Sequence, residues 1–150
     1  MLTDVQLAWA AGFIDGEGTI SMYTKAHKPY RPGYSIRLSV VNTYLPSLER
    51  LQVMFGGSIQ PLHSEERSYG ENWKPSFFWS CGAKATEAAL TQLLPHLFVK
   101  RPQAELALEA RSLVGSKGEE RSEKKIEQLE STLQRFRELN RKGRVTLRAI

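Results

Sequence analysis

The strongest constraint on the fold is the alternation of apolar and polar residues over positions 34–41, YSIRLSVV. Apolar residues occupy every second position from Ile36 to Val40. Successive side chains of a β-strand point to opposite faces of the sheet, so this period predicts a strand with one buried and one polar face. Residues 19–28 alternate less regularly, and the turn sequence PYRPG at 29–33 separates the two segments. Together they predict an antiparallel hairpin.

A helix is predicted before this hairpin. Thr3 and Gln6 have the spacing of a capping box, which satisfies two free amides at a helix N-terminus. The helix is expected to run to about Asp15, where Gly16 and Gly18 end it.

A second helix is predicted after the hairpin, with Pro46 in its first turn and Gly56 and Gly57 at its end. The remaining predicted elements are two strands near 58–64 and 75–82 and helices at 84–97, 103–114 and 119–140. This order predicts an α+β domain in which helices cover one face of a mostly antiparallel four-stranded sheet. We expect one domain over 1–150, with a core at about 3–114 and a C-terminal helical extension at about 115–150.

Composition narrows the choice of partners and compartment. The net charge is +5 and the isoelectric point about 9.5, which suits a polyanion such as nucleic acid but is also compatible with ordinary solubility. Cys81 is the single cysteine, so no intrachain disulfide can form. The N-terminus has no basic segment typical of a signal peptide, and the apolar run at 7–14 is too short to span a bilayer. We expect a soluble intracellular protein of the cytoplasm or an organelle matrix, not secreted and without a membrane partner.

The first helix carries a stripe of small residues. Ala8, Gly12 and Gly16 lie four residues apart and form one nearly flat line on the helix. Such a line lets two backbones approach closely. Its partner is either the core of the same chain or the same helix of a second copy.

Two acids, Asp15 and Glu17, follow this stripe at the expected helix C-terminus. The helix dipole is negative there, so carboxylates are unfavourable unless a cation binds. Magnesium prefers oxygen ligands and keeps much of its water. The acids therefore form either a metal site, shared between two paired helices, or a solvated helix end.

The stretch AAGFIDGEG at 10–18 resembles the signature of the LAGLIDADG homing endonucleases. Ala11, Gly12, Ile14, Asp15 and Gly18 match it, Phe13 and Glu17 are conservative replacements, and Ala10 and Gly16 depart from it. The stretch LLPHLFVKRPQAEL at 93–106 resembles the family segment that carries a catalytic lysine. The resemblance covers roughly residues 5–114. It implies an αββαββα unit whose sheet straddles the DNA major groove, and the single motif implies a homodimer.

The resemblance also implies residue roles. Glu17 would bind Mg²⁺ or another divalent cation such as Mn²⁺ with help from the Gly16 carbonyl, Asn42 would position water, and Lys100 would be the catalytic lysine. The expected interface of the two helices comprises Ala8, Ala11, Gly12, Asp15 and Gly16. The implied function is site-specific hydrolysis of double-stranded DNA at a long pseudo-palindromic site. The alternatives are a maturase that binds its host intron RNA, a DNA-binding regulator, and a structural dimer without a nucleic-acid role.

Strand parity nominates the DNA contacts. Arg and Gln can bind base edges in the major groove, whereas Lys mostly binds phosphates. The fourth strand is ambiguous because Phe77, Phe78 and Trp79 are consecutive. The predicted DNA-contacting residues are Ser21, Tyr23, Lys25, Ser35, Arg37, Ser39, Ser58, Gln60 and Leu62.

Overall fold

The computed structural model describes residues 1–25, 33–62, 74–114 and 122–141. The elements follow in the order α1 (Asp4–Glu17), β1 (Gly18–Lys25), β2 (Gly33–Asn42), α2 (Leu45–Phe55), β3 (Ser58–Pro61), β4 (Phe77–Cys81), α3 (Ala83–Leu93), a 3₁₀ turn (Leu94–His96), α4 (Arg101–Val114) and α5 (Glu123–Leu139). Among these helices none is both long and apolar enough to cross a bilayer.

The four strands form one antiparallel sheet in the order β1-β2-β4-β3. Each hairpin contributes two strands, and the hairpins join through β2 and β4. Helices pack on one face, where the apolar side chains of β1, β2 and β4 are buried. The predicted α+β class, with a four-stranded antiparallel sheet and additional C-terminal helices, is confirmed.

Two buried polar contacts hold the helices to the sheet. The Thr86 hydroxyl of α3 accepts a hydrogen bond from the Leu38 amide at 3.0 Å and donates one to the Cys81 carbonyl at 3.1 Å. The indole N–H of Trp79 donates to the Gly56 carbonyl at 2.9 Å. Both contacts are buried or nearly so, which makes them costly to lose because the remaining partner would be unsatisfied.

The turn between α2 and β3 requires glycine. Gly56 and Gly57 have positive φ angles of 74° and 86°, which side chains other than glycine rarely adopt. A Cβ on Gly57 would also lie 2.4 Å from the Ser80 carbonyl oxygen of β4. The predicted end of the second helix is therefore confirmed.

The first helix differs from its prediction at the C-terminus. The capping box of Thr3 and Gln6 is present, but α1 continues through Gly16 to Glu17. Gly18 is the C-terminal cap, where its amide donates to the Ile14 carbonyl. A Cβ on Gly18 would lie 2.8 Å from that same oxygen. The helix therefore ends at Glu17, before the extended backbone of Gly18, and not at residue 16.

Other boundaries also move. The predicted helix at 84–97 breaks into α3 and the 3₁₀ turn Leu94–His96, because Pro95 has no amide with which to continue the α-helical hydrogen bonds. The strand predicted at 58–64 ends at Pro61. Residues 26–28 of the first predicted strand lie outside the described residues.

The last helix, predicted at 119–140, spans Glu123–Leu139 and packs on α4 and β1. Its predicted apolar stripe is buried at Leu129, Leu133 and Phe136, and Ile126 is half-buried. The Asn140 amide group donates to the Ile20 carbonyl of β1 at 2.9 Å. The Tyr34 hydroxyl of β2 donates to the Glu130 carboxylate. The extension thus shares the core of the αββαββα unit.

Candidate active site and nucleic-acid interface

The end of α1 is joined to the segment that precedes α4. The Asp15 carboxylate accepts hydrogen bonds from the backbone amides of Phe98 and Lys100, both at 2.8 Å. Burial alone would raise the pKa of this carboxyl group, but the amides of Lys100, Phe98 and Val99 and the Lys100 charge outweigh burial, so the pKa lies below its usual value. Asp15 was predicted at the helix pair, and that placement stays a prediction. Its carboxylate anchors the segment before α4 of its own chain.

This anchor positions Lys100. The Lys100 ammonium donates to the main-chain carbonyl of Asp15 at 2.6 Å. A positive charge at a helix C-terminus is favourable because the carbonyl end of the dipole is negative. The backbone and the side chain of Lys100 are therefore both held against the last turn of α1.

Glu17 is the last residue of α1 and is exposed. Within the described residues its carboxylate makes no hydrogen bond or ion pair. Asn42 ends β2 and is half-exposed. Gly18 pairs with Val40, so Asn42 extends beyond that pair to the sheet edge where α1 joins β1. The Asn42 side-chain oxygen accepts from the Tyr44 amide at 2.8 Å, which leaves its NH₂ group for another partner.

The donors at this edge suit a hard cation. Glu17 offers a carboxylate. Gly16 is exposed at the C-terminal end of α1, where carbonyls lack intrahelical partners, so it offers a carbonyl oxygen. No group of three His, Cys, Asp or Glu side chains that could hold a metal ion occurs in the described part of the chain. Burial raises the pKa of the Cys81 thiol to about 11, so this group stays neutral. One chain thus supplies one carboxylate, with oxygens as the other available donors.

The small-residue stripe of α1 faces outward. Ala8, Gly12 and Gly16 are exposed. A Cβ placed on Gly12 or Gly16 would meet nothing within 4 Å. Packing of the stripe against the core of the same chain is therefore excluded among the described residues. The assignment of Ala11 to the same interface is wrong. Ala11 has no exposed area, because its position on the helix turns it toward the core.

Strand register places the predicted DNA contacts other than Leu62 on the face opposite the helices. Leu62 follows the end of β3 at Pro61, and its amide donates to the Ser76 carbonyl at 3.0 Å. Ser21 pairs with Arg37 and Tyr23 with Ser35. Ser39 and Ser58 both pair with Ser80. The prediction that Ser35 and Ser39 are solvent-facing is wrong, since they are 6% and 7% exposed. Both lie on β2, where Ser35 is opposite Tyr23 of β1 and Ser39 lies between Thr19 of β1 and Ser80 of β4.

The sequence did not nominate four further residues on this face, Thr19, Val41, Phe78 and Ser80. Pairing of Val41 with Phe78, and of Phe78 with Gln60, resolves the parity of the fourth strand. Trp79 is fully buried on the other face. The pairing of β4 with β2 and β3 shows that Phe78 lies on the face opposite the helices, which the run of three consecutive aromatic residues does not reveal.

The face has one stacked cation. The Arg37 guanidinium carbon lies 4.4 Å from the centroid of the Tyr23 ring, and the Lys25 ammonium lies 5.8 Å from it. Burial would raise the pKa of the Tyr23 phenol, but the nearby polar side chains of Ser35 and Arg37 and the charges of Lys25 and Arg37 lower it overall. These side chains form one connected cluster.

Comparisons of the sequence find two related proteins. The DNA endonuclease I-CvuI of Chlorella vulgaris is 30% identical over 105 residues, which are 70% of this chain and 63% of that protein. The intron-encoded RNA maturase bI4 of Saccharomyces cerevisiae is 40% identical over 52 residues, which are 35% of this chain and 8% of that protein. The chain thus spans less than two thirds of the length of either relative. No protein-family model matches it.

Comparisons of the structure find the same fold. The homing endonuclease I-CvuI, in complex with the I-CreI target in the presence of Mg, superposes with a TM-score of 0.73 at 20% identity, over 95% of this chain and 86% of that one. The archaeal intron-encoded homing endonuclease I-Vdi141I, complexed with DNA, gives 0.72 at 18% identity, over 93% and 87%. The related sequence, the common fold and the motif at 10–18 agree.

The chain belongs to the LAGLIDADG homing endonuclease family.

The two departures from the LAGLIDADG signature fit the structure. Ala10 is fully buried, so its small side chain packs in the core. Gly16 lies on the exposed stripe, where a side chain has open space. Neither departure removes a functional group from the LAGLIDADG site.

Proposed function

We propose that this chain is a site-specific endonuclease that hydrolyses both strands of a long pseudo-palindromic DNA site as a homodimer. The observation that carries the proposal is the placement of Lys100, whose ammonium is held 2.6 Å from the Asp15 carbonyl at the end of α1. The exposed Glu17 is the last residue of α1, and β1, the first strand of the sheet, begins at the next residue. A cation, a carboxylate and a groove-binding surface are the parts that phosphodiester hydrolysis on duplex DNA needs.

Each residue has a chemical task in this proposal. The Glu17 carboxylate and the Gly16 carbonyl would hold a divalent cation, Mg²⁺ or Mn²⁺. Such a cation, when bound, lowers the pKa of a water and stabilises the leaving oxygen. Lys100 offsets the negative charge that builds up on the phosphate oxygens in the transition state. The free NH₂ group of Asn42 orients the attacking water through a hydrogen bond.

The exposed stripe of α1 supports the homodimer. One chain contributes one motif, whereas cleavage of both strands needs two sites. A second copy of α1 offers the same flat line of Ala8, Gly12 and Gly16, so the two helices can approach closely along it. An interface of this kind is self-complementary and has two-fold symmetry. Two-fold symmetry in turn requires a target with two similar half-sites.

Cleavage of a randomised duplex library in the presence of Mg²⁺ tests the proposal. The parent is expected to cut a single family of sites, and Glu17→Gln, which removes the metal-binding charge at constant size, is expected to bind those sites without cutting. Glu127→Gln on the exposed surface of α5 is the matched control and should cut like the parent. Cleavage by Glu17→Gln at the rate of the control would exclude Glu17 as the metal ligand.

Intron RNA is a second candidate ligand, favoured by the 40% identity to an RNA maturase over 52 residues. Competition separates the two ligands: the DNA proposal expects the selected duplex to displace labelled DNA at least as well as a structured intron RNA does. Displacement by the RNA at a concentration at least tenfold lower than the duplex requires would favour the maturase function.

A further inference from the structure

Arg37 is held in place before any ligand binds. Its guanidinium carbon lies 4.4 Å above the centroid of the Tyr23 ring, within the distance at which a cation and an aromatic face attract each other. A free arginine side chain has several rotatable bonds and loses entropy on binding. Stacking on an aromatic ring removes part of that loss in advance, because the planar guanidinium can then present its N–H edge in a restricted direction.

The tyrosine is itself fixed. Tyr23 lies directly opposite Ser35 in the hairpin register, and Ser35 is only 6% exposed. The Ser35 and Arg37 side chains are close enough to the phenol to lower its pKa. Tyr23 therefore contacts Arg37 through its ring while its own backbone is held by pairing with β2.

The position of Arg37 favours base contact over phosphate contact. β2 is an inner strand of the sheet, with β1 on one side and β4 on the other from Leu38 onward, next to Arg37. A sheet that lies in the major groove brings its inner strands to the base edges and its hairpin ends toward the backbones. Lys25, at the end of β1 and 5.8 Å from the same ring, is better placed for a phosphate.

We infer that Tyr23 is a positioning residue that holds Arg37 ready to bind a guanine in the major groove. This inference rests on the proposed binding of duplex DNA. Guanine presents two acceptors there, N7 and O6, and a guanidinium edge can donate to both at once. Tyr23 need not touch the base. Its effect on selectivity passes through the orientation of Arg37.

The first test uses the parent protein and modified DNA, so it does not depend on the folding of any variant. Each guanine of the selected site is replaced in turn by 7-deazaguanine, which lacks the N7 acceptor. Equilibrium binding is expected to weaken by roughly fivefold to a hundredfold at one guanine in each half-site, the range of a bidentate contact. Arg37→Met should lose this sensitivity at that guanine and keep it elsewhere. The inference would be overturned if no guanine showed a sensitivity to 7-deazaguanine that is lost in Arg37→Met.

The second test separates positioning from mere stability. Tyr23→Phe keeps the ring and is expected to retain most of the preference for guanine, whereas Tyr23→Leu removes the ring and should reduce that preference at the same position as Arg37→Met. A general loss of DNA affinity in Tyr23→Leu, equal at every position, would contradict a positioning role. Because selectivity is measured by binding, a parent that selects guanine without cutting any duplex contradicts the endonuclease proposal and leaves this inference standing.

Discussion

The Lys100 ammonium lies 2.6 Å from the main-chain oxygen of Asp15, and the Asp15 carboxylate in turn accepts the Lys100 amide at 2.8 Å. Two residues 85 positions apart are thus joined at both backbone and side chain. The signature helix and the segment that carries Lys100 are therefore linked at the sheet edge. A change at one of them is expected to be felt at the other.

Lys100→Met is expected to slow cleavage of the best site by roughly a hundredfold or more, because one donor to the transition-state charge is lost. The preference among sites should stay the same. Lys84→Met on α3 removes an equally charged exposed side chain away from this edge and serves as the control. Cleavage rates over all single-base changes of the site are the measurement. A changed preference with an unchanged best rate would make Lys100 a base-contacting residue.

Asp15→Asn is expected to lower the free energy of unfolding by about 1–3 kcal/mol, since a carboxylate that accepts two amides is replaced by a neutral group that accepts less well. The folded-state pKa of Asp15 lies below its usual value of 3.8. The stabilisation should therefore be complete above the unfolded-state pKa and be lost as the pH falls through the folded-state pKa.

Urea unfolding of the parent and of Asp15→Asn at pH 7 and pH 3 measures this effect. The gap between the two proteins should narrow at the lower pH. A gap that is constant with pH would show that the loss does not come from the carboxylate charge.

Gly12→Leu is expected to convert a dimer to a monomer without unfolding the chain. A Cβ at Gly12 meets nothing within 4 Å in its own chain, and leucine favours helix more than glycine does. Sedimentation velocity and thermal unfolding of the variant and the parent give both quantities. A parent that is monomeric on its DNA site at micromolar concentration would exclude the helix-paired dimer.

Phe136→Ala is expected to destabilise the whole domain by about 3–5 kcal/mol, the usual cost of removing a buried aromatic side chain. Phe136 is 2% exposed, where α5 packs on the core. Phe98→Ala is the matched control, because Phe98 is 87% exposed and its truncation should change the stability of the monomer little. If both substitutions cost less than about 0.5 kcal/mol, α5 does not contribute to the core as its burial indicates.

Local patterns were enough to predict much of this molecule. Thr3 and Gln6 start α1, the alternation from Ile36 to Val40 sets the faces of β2, and the glycine pair at 56 and 57 ends α2. Each of these features depends on residues within one turn or one strand. Their physical causes, capping hydrogen bonds, side-chain period and positive φ, are all readable from adjacent positions.

Tertiary packing decided the remainder. The burial of Ser39 on a face with polar periodicity depends on the strands that flank β2, and the outward placement of Phe78 depends on its register with Val41. The partner of the Asp15 carboxylate comes from a segment more than 80 residues away. The sequence alone determined the elements and the family signature, because period, capping and motif are local. Contacts between distant segments follow from how whole faces pack together, and no local spacing records that.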